Sequence, residues 1–155
     1  MLAEAEAIVI GGGNTWRLLQ QMQENDLIGV IREKVLNGTP YVGWSAGSNV
    51  SCPTISTTND MPVVAPRSFE ALNLVPFQIN PHYLDANPAG HAGETREERI
   101  IEYIELNRDR TVVGLREGTM LQVEGEQMEL IGKRPARLFR YGKEAWEVQP
   151  GAFQC

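Results

Sequence analysis

The sequence predicts an α/β fold, in which a mostly parallel sheet is flanked by helices, on three observations. Residues 7–10 form a continuous apolar run, and residues 74–79 and 111–115 are mostly apolar, as is typical of strands buried on both faces. These runs end in glycine or polar residues, and segments with apolar residues at helical spacing lie between them. Strands that alternate with helices favour a parallel sheet. A chain of 155 residues suits one core, so we expect residues 1–155 to form a single domain.

The first strand, at residues 7–10, is followed by two predicted helices. Asn14 or Thr15 can cap the first helix, and apolar spacing predicts the second over residues 27–36. A short strand at residues 41–42 comes next.

The middle of the chain, residues 52–67, is rich in Pro, Thr and Ser. It predicts a long loop with one short strand at residues 62–64. After the strand at residues 74–79, Thr95 and Glu98 have the spacing of a capping box, which predicts the start of a helix.

The C-terminal part departs from this alternation. Apolar runs at residues 120–123 and 128–131 flank Glu124-Gly125-Glu126-Gln127, which predicts an antiparallel hairpin. Short strands at residues 136–139 and 145–148 are expected to extend it.

Composition excludes several classes of partner. The net charge is −6 with no basic block, so we expect no nucleic-acid partner. No apolar run is long enough to cross a bilayer, so we expect no membrane partner. With His82 and His91 as the only histidines, we expect no metal site and no cofactor. Cys52 and Cys155 are the only cysteines, which fits a reducing cytoplasm better than a disulfide.

Gly43-Trp44-Ser45-Ala46-Gly47 has the G-x-S-x-G pattern of a nucleophile elbow. It lies between an apolar run and a segment of small residues, as such an elbow does between a strand and a helix. The alternative is an ordinary turn that matches the pattern by chance. The presence of a base and an acid that could act with Ser45 distinguishes the two.

A nucleophilic serine needs a base, and that base needs an acid to orient it. His82 follows a predicted strand, whereas His91 lies in a Gly/Ala loop and is expected at the surface. Glu117 also follows a strand, so we rank it ahead of Asp60 as the acid and give Asp60 a second, electrostatic role. Whether Glu117 or Asp60 orients His82 stays open.

The glycine run at residues 11–13 precedes a predicted helix, where it could cradle a phosphate. It lacks the Gly-Lys-Ser/Thr ending of a P-loop, so the backbone N–H groups of Gly13 and Ala46 are instead expected to bind an oxyanion. Arg96 lies in the first turn of a helix, where the dipole disfavours a cation. Either it pairs with a nearby glutamate, or it binds a substrate carboxylate.

Five segments together resemble the peptidase E family of bacterial α-aspartyl dipeptidases. They are Gly11-Gly12-Gly13-Asn14-Thr15, Gly43-Trp44-Ser45-Ala46-Gly47-Ser48-Asn49, Thr57-Thr58-Asn59-Asp60-Met61-Pro62, Gln78-Ile79-Asn80-Pro81-His82 and Gly93-Glu94-Thr95-Arg96-Glu97. The resemblance runs in order from about residue 5 to residue 118. It implies a cytoplasmic serine peptidase that removes N-terminal aspartate from short peptides, with a flavodoxin-like fold similar to class I glutamine amidotransferases.

The resemblance also implies roles for individual residues. Ser45 matches the nucleophile and His82 the base, Glu117 and Asp60 match the two acids, and Gly13 and Ala46 match the oxyanion donors. Arg96 matches the position that binds the aspartate side chain of the substrate, and we expect Asn14 to contact substrate as well. Amidotransferases carry cysteine at the elbow, which disfavours a glutaminase. Cyanophycinases share the serine but differ at residues 12–15, so a cyanophycinase-like hydrolase ranks lower.

One departure concerns the N-terminus. Members of the family have roughly two βα units before the strand that begins here near Ala7. The chain is therefore expected to be a naturally short member, a fragment or an engineered truncation. We expect homo-oligomerisation to cover the sheet edge that the absent units would bare. A catalytically impaired binding or association module is the competing function.

Overall fold

The computed structural model describes residues 4–87, 89–90 and 92–154. These residues fall into two compact units, which lie within Met1–Gln78 and Ile79–Cys155. The predicted single domain stays a prediction. Two residues considered above, His91 and Cys155, lie outside the described residues.

The first unit contains a parallel pair of strands and three helices. In chain order its elements are β1 (Ile8–Ile10), α1 (Thr15–Glu24), α2 (Leu27–Leu36), β2 (Tyr41–Gly43) and α3 (Ala46–Ser51). Strands β1 and β2 pair in parallel, with Ile8 opposite Tyr41 and Ile10 opposite Gly43. The predicted bounds of the second helix match α2.

Asn14 is the N-cap of α1, because its side chain accepts a hydrogen bond from the backbone N–H of Arg17. The core of this unit joins the helices to β1 and to the long loop. It consists of Ile8, Leu19, Met22, Ile31, Val50, Ile55, Ala71 and Leu72. Burying this apolar set holds the start of α1 and the end of β1 next to the loop that follows α3.

The second unit contains two sheets and one helix. Its elements are β3 (Gln78–Pro81, starting at the last residue of the first unit), α4 (Arg96–Leu106), β4 (Thr111–Leu115), β5 (Thr119–Glu124), β6 (Gln127–Gly132), β7 (Ala136–Arg140), β8 (Trp146–Val148) and β9 (Gly151–Phe153). One sheet has the strand order β3-β4-β7-β8 and the other the order β5-β6-β9. Thr95 caps α4, and the predicted capping box with Glu98 is confirmed.

The antiparallel hairpin predicted for the C-terminal part is confirmed. Strands β5 and β6 pair from Thr119 opposite Gly132 to Glu124 opposite Gln127. Gly125 has a φ of +60°, which the two-residue connection needs and glycine adopts without strain. Strands β7 and β8 also form close to their predicted positions, whereas β9, which pairs with β6, was not predicted.

Two predicted strands are wrong in detail. Residues 62–64 form no strand, and Pro62 and Pro66 lack the N–H groups that a ladder would require. The strand predicted at residues 74–79 is instead β3, which begins only at Gln78. The preceding residues bond to α3, where the N–H of Leu74 donates to the carbonyl of Ser51.

The α/β class is confirmed, but the sheets differ from a single, mostly parallel one. Strands β1 and β2 are parallel, whereas the pairs β4/β7, β5/β6, β6/β9 and β7/β8 are antiparallel. Similarity to the class I glutamine amidotransferase or flavodoxin-like topology stays a prediction. None of the helices in the described ranges has the length and apolar character needed to cross a bilayer.

Candidate active site

Ser45 lies at a strained turn between β2 and α3. Its φ is +54° and its ψ is −115°, a conformation that non-glycine residues rarely adopt. Backbone strain of this kind costs about 1–3 kcal/mol and is concentrated at functional sites. The turn therefore has the geometry of a nucleophile elbow, which the G-x-S-x-G pattern predicted.

The two glycines of the pattern are required by close backbone contacts. A Cβ atom on Gly43 would lie 2.7 Å from the carbonyl oxygen of Gly47. A Cβ atom on Gly47 would lie 2.0 Å from the carbonyl oxygen of Ile10 at the end of β1. The Tyr41 hydroxyl donates a 2.6 Å hydrogen bond to the carbonyl of Gly47. Burial raises the pKa of Tyr41, with a smaller effect from Cys52, so its hydroxyl stays a neutral donor.

The side chain of Ser45 is not used to hold the helix that it precedes. Ser45 occupies the N-cap position of α3, yet its side chain makes no capping hydrogen bond. Gly12 lies close by, since a Cβ atom there would be 3.5 Å from Ser45 Oγ. The glycine run thus leaves open space beside the hydroxyl, which a substrate carbonyl could use.

Gly13 and Ala46 both present backbone N–H groups in this unit. Gly13 has a φ of +135°, and nothing lies within 4 Å of the position of a Cβ atom there. Ala46 is the first residue of α3 and is fully buried. In residues 4–87, 89–90 and 92–154, neither N–H donates a hydrogen bond. Such donors are suited to an anionic oxygen, although the role predicted for them stays a proposal.

Asp60 and Asn14 tie the long loop to the start of α1. Asp60 Oδ2 accepts hydrogen bonds from the backbone N–H and the hydroxyl of Thr15, at 2.7 and 2.6 Å. Asn14 Nδ2 donates to the carbonyl oxygen of Met61 at 2.9 Å. Trp16 Nε1 donates to the backbone oxygen of Asp60 at 3.1 Å. The described contacts of these two side chains are therefore with the first turn of α1 and its loop.

His82 and Glu117 form a side-chain pair in the second unit. His82 directly follows β3, Glu117 lies two residues after β4, and His82 Nδ1 hydrogen bonds to Glu117 Oε1. Of the two acids considered for His82, the one in contact with it is Glu117. The φ of His82 is +56°, so this residue is strained as well. The pair is open to solvent, with side-chain exposures of 51% for His82 and 67% for Glu117.

Arg96, in the second unit as well, is the first residue of α4 and is half-buried. Two glutamates, Glu97 and Glu98, follow it in α4. Glu97 accepts from the Tyr83 hydroxyl at 3.1 Å and pairs with Arg137 at 3.3 Å. Glu98 accepts from Thr95 in the capping box, and this hydrogen bonding lowers the pKa of Glu98.

Reasoning from the sequence missed a buried arginine next to this pair. Arg116 is 9% exposed and binds Asp85 through Nε and Nη2 and Glu147 through Nη1 and Nη2. Its Nη1 also donates to the carbonyl oxygen of Pro135 at 2.6 Å. Hydrogen bonds to Glu147 and then Asp85 raise the pKa of Arg116 far above its usual value. A signal was present, since Arg116 immediately precedes Glu117, but arginine is rarely buried and composition could not reveal its partners.

The candidate residues thus divide between the two units. The first unit carries Ser45, Gly13, Ala46, Asp60 and Asn14, and the second carries His82, Glu117 and Arg96. Among the described residues, no group of three or more His, Cys, Asp or Glu side chains could hold a metal ion.

Comparison with known proteins shows the family of the chain. The model of peptidase family S51 matches residues 1–131. Peptidase E of Nostoc sp. is 55% identical over 150 residues, which are 97% of this chain and 62% of the relative. Peptidase E of Salmonella paratyphi A is 47% identical over 150 residues, or 97% of this chain and 66% of the relative. Peptidase E of Streptomyces coelicolor is 53% identical over 152 residues, with 97% and 62% covered.

Two solved structures are also similar to the chain. A protein from Listeria monocytogenes EGD-e, described as a candidate Peptidase E, has a TM-score of 0.59 and 27% identity. The comparison covers 96% of this chain and 61% of that one. A peptidase from an acI-B1 Actinobacterium shares the fold, with a TM-score of 0.65 at 17% identity and with 99% and 61% covered. The chain therefore spans roughly three fifths of the length of these proteins, and it belongs to peptidase family S51.

Proposed function

We propose that the chain is a serine-type dipeptidase that hydrolyses the peptide bond after an N-terminal aspartate in short peptides (Asp-X). The observation that carries this proposal is the left-handed backbone of Ser45 at the turn between β2 and α3. An elbow of this kind costs folding energy and is favoured where a nucleophile must project from the backbone. Membership of family S51 and relatives named Peptidase E support a peptidase.

In the first half of the proposed reaction, Ser45 Oγ attacks the carbonyl carbon of the aspartyl residue. His82 Nε2 takes the hydroxyl proton, while Glu117 accepts a hydrogen bond from His82 Nδ1 and stabilises the imidazolium. The N–H groups of Gly13 and Ala46 bind the oxyanion of the tetrahedral intermediate. The intermediate collapses, its C–N bond breaks, and His82 gives the proton to the departing amine.

In the second half, water hydrolyses the aspartyl ester on Ser45. His82 takes a proton from the water, and the hydroxide oxygen bonds to the ester carbon. The C–Oγ bond then breaks, the proton returns to Ser45 Oγ, and aspartate leaves. The proposal requires His82 Nε2 to come within about 3 Å of Ser45 Oγ in the active protein.

Selectivity for aspartate is assigned to Arg96 and Asn14. A guanidinium at the start of α4 adds to the positive end of the helix dipole, and both attract the β-carboxylate of the substrate. The amide of Asn14, at the start of α1, is proposed to contact the substrate as well. Asp60 is proposed to have a second, electrostatic role in the site.

The direct test is hydrolysis of Asp-Leu and Ala-Leu, followed by detection of free amino acids. The wild-type chain should release leucine from Asp-Leu alone, and Ser45→Ala should release none. Ser48→Ala is the matched control, because Ser48 lies in α3 and its hydroxyl donates to the backbone carbonyl of Gly43 at 3.2 Å. Equal hydrolysis by wild type and the Ser45→Ala variant would refute the assignment.

An association module is the second candidate function, and exposed apolar side chains favour it. Val9 and Val42 lie opposite each other in the β1/β2 pair and are 62% and 53% exposed. Trp44, just after β2, is 54% exposed. We propose that a second copy of the chain covers this surface, since apolar patches on sheets favour association. Light scattering at micromolar concentration should give a dimer or larger species, and Val42→Lys should shift it toward the monomer.

We also propose that the protein works in the cytoplasm. The chain has only two cysteines, and Cys52 is buried, which suits a reducing compartment. Fractionation of cells that produce the chain should recover it with cytoplasmic markers, and recovery with the periplasmic fraction would contradict this.

A further inference from the structure

Two short segments of the second unit carry the His82–Glu117 pair. One runs from His82 to Asp85 after β3, and the other runs from Leu115 to Glu117 at the end of β4. The backbone N–H of Tyr83 donates a 3.1 Å hydrogen bond to the carbonyl oxygen of Leu115. The two segments are therefore joined by a backbone bond immediately next to the pair.

A second connection joins the same segments through side chains. Arg116 Nε donates to Asp85 Oδ2 at 3.0 Å, and Arg116 Nη2 donates to Asp85 Oδ1 at 2.5 Å. Two such hydrogen bonds fix both the distance and the relative orientation of the Arg116 guanidinium and the Asp85 carboxylate, which a single hydrogen bond does not. The hydrogen bonds from Arg116 also lower the pKa of Asp85, so the aspartate is charged at neutral pH.

The His82–Glu117 pair needs such support. Ion pairs as exposed as this one contribute little stability of their own, because solvent screens them and ordering two side chains costs entropy. His82 is in addition held at a φ of +56°, a strained conformation that persists only when its surroundings enforce it. The interaction between His82 and Glu117 is therefore too weak to hold the two side chains in place by itself.

Arg116 is anchored independently of the pair. Glu147 on β8 accepts from Arg116 Nη1 at 2.8 Å and from Nη2 at 2.9 Å. The carbonyl of Pro135 accepts from Nη1, and the Tyr83 ring lies 5.5 Å from the guanidinium carbon. Arg116 is fixed to the sheet in this way. Its two hydrogen bonds to Asp85, which we call the fork, therefore fix the segment that begins with His82.

We propose that Asp85 and Arg116 are positioning residues that hold His82 against Glu117. This inference rests on the proposed role of that pair as the general base of the peptidase. Neither residue touches substrate in this scheme; Arg116 acts on the pair through Asp85 and through the backbone of residues 115–117. Loss of the fork should lower kcat about 10- to 100-fold, because small misplacement of a catalytic group has effects of this size. It should leave KM nearly unchanged, since substrate contacts are intact.

The test has a readout that does not depend on catalysis. When Glu117 accepts from Nδ1, the neutral imidazole of His82 carries its proton on Nδ1, whereas a free neutral imidazole in water favours Nε2. ¹⁵N NMR distinguishes the two tautomers at a pH of about 9, far above the ordinary histidine pKa of about 6.5. A His91→Gln background leaves one histidine signal, because the chain has only two histidines.

Three variants are compared in that background. Asp85→Asn removes the charge and half of the fork, and Asp85 is 63% exposed, so the variant should fold. Arg116→Lys keeps the charge but cannot form the fork. Asp109→Asn is the matched control, since Asp109 is 79% exposed and pairs with Arg110. Asp85→Asn and Arg116→Lys should lose the Nδ1–H tautomer and lower kcat, while Asp109→Asn keeps both.

The outcomes separate this inference from the proposed function. A wild-type tautomer in Asp85→Asn, or in Arg116→Lys if Asp85→Asn does not fold, overturns the positioning role. Loss of the tautomer in Asp85→Asn supports it even if the wild-type chain hydrolyses no peptide. Loss of the tautomer in Asp109→Asn as well would overturn it, because the effect would then follow from any lost surface charge.

Discussion

Gly47 approaches Ile10 so closely that a Cβ atom on the glycine would lie 2.0 Å from the carbonyl oxygen of Ile10. The obstacle is backbone, so no rotamer change relieves it. We predict that Gly47→Ala lowers the free energy of unfolding by at least about 2 kcal/mol. Urea denaturation followed by circular dichroism measures this change.

Gly29→Ala is the control for this substitution. Gly29 lies in α2, and nothing is within 4 Å of its Cβ position. Alanine should raise the free energy of unfolding there by about 0.5–1 kcal/mol, because it lowers the entropy of the unfolded chain. Equal effects of Gly47→Ala and Gly29→Ala would contradict the packing described for the elbow.

Asp60→Asn should destabilise the start of α1. The carboxylate of Asp60 accepts hydrogen bonds from both the N–H and the hydroxyl of Thr15. Its negative charge also interacts favourably with the positive end of the helix dipole. We expect a loss of about 1 kcal/mol in the free energy of unfolding. Asp26→Asn is the matched control, because Asp26 precedes α2 without a side-chain capping bond. This variant should change the free energy of unfolding little. A loss at Asp26 as large as that at Asp60 would speak against the loop anchor.

The contribution of Glu147 to stability should depend on pH. Hydrogen bonds from Arg116 lower the pKa of Glu147 in the folded state. Its contribution is therefore present above the ordinary glutamate pKa of about 4.3 and is lost as the pH falls through the lower, folded value. Glu147→Gln should melt at a lower temperature than wild type at pH 7, and the two melting temperatures should converge at a pH below about 4.

Glu105→Gln serves as the comparison for Glu147→Gln. Glu105 forms a 3.8 Å surface pair with Arg108, and both side chains are more than half exposed. Such pairs contribute little at any pH, so this variant should melt close to wild type throughout. If the difference in melting temperature between wild type and Glu147→Gln stays constant down to pH 3, the proposed coupling of Glu147 to Arg116 is wrong.

Glu117→Gln should lower kcat about 10²- to 10⁴-fold with little change in KM, because His82 loses the carboxylate that stabilises its imidazolium. Glu94→Gln is the control, since Glu94 is 58% exposed and pairs with Arg99 at 3.5 Å. Assays on Asp-Leu at pH 7.5 measure both variants. Wild-type kcat in Glu117→Gln would show that Glu117 does not serve as the orienting acid.

Local sequence signals predicted the elements that local chemistry determines. The bounds of α2, the capping box of Thr95 and the hairpin around Gly125 depend on residues only a few positions apart, so their patterns were sufficient. The turn at Ser45 was predicted for the same reason, because its glycines are two residues on either side. These features need no knowledge of distant contacts.

Features set by distant residues were missed or placed wrongly. The start of β3 shifted to Gln78 because the preceding residues bond to α3, which the apolar run could not show. The sheets are more antiparallel than strand and helix alternation suggested, because β7 and β8 return beside β4. The burial of Arg116 depends on Asp85 and Glu147, which are each 31 positions away.

The central claim is that Ser45 is a nucleophile activated by His82, and covalent labelling tests it most directly. A fluorophosphonate reacts when a serine oxygen attacks phosphorus and displaces fluoride, and mass spectrometry of peptides locates the adduct. We expect one adduct, on Ser45, that is absent from Ser45→Ala and strongly slowed in His82→Ala. An unlabelled wild-type chain, or labelling of Ser45 at the same rate without His82, would contradict the account.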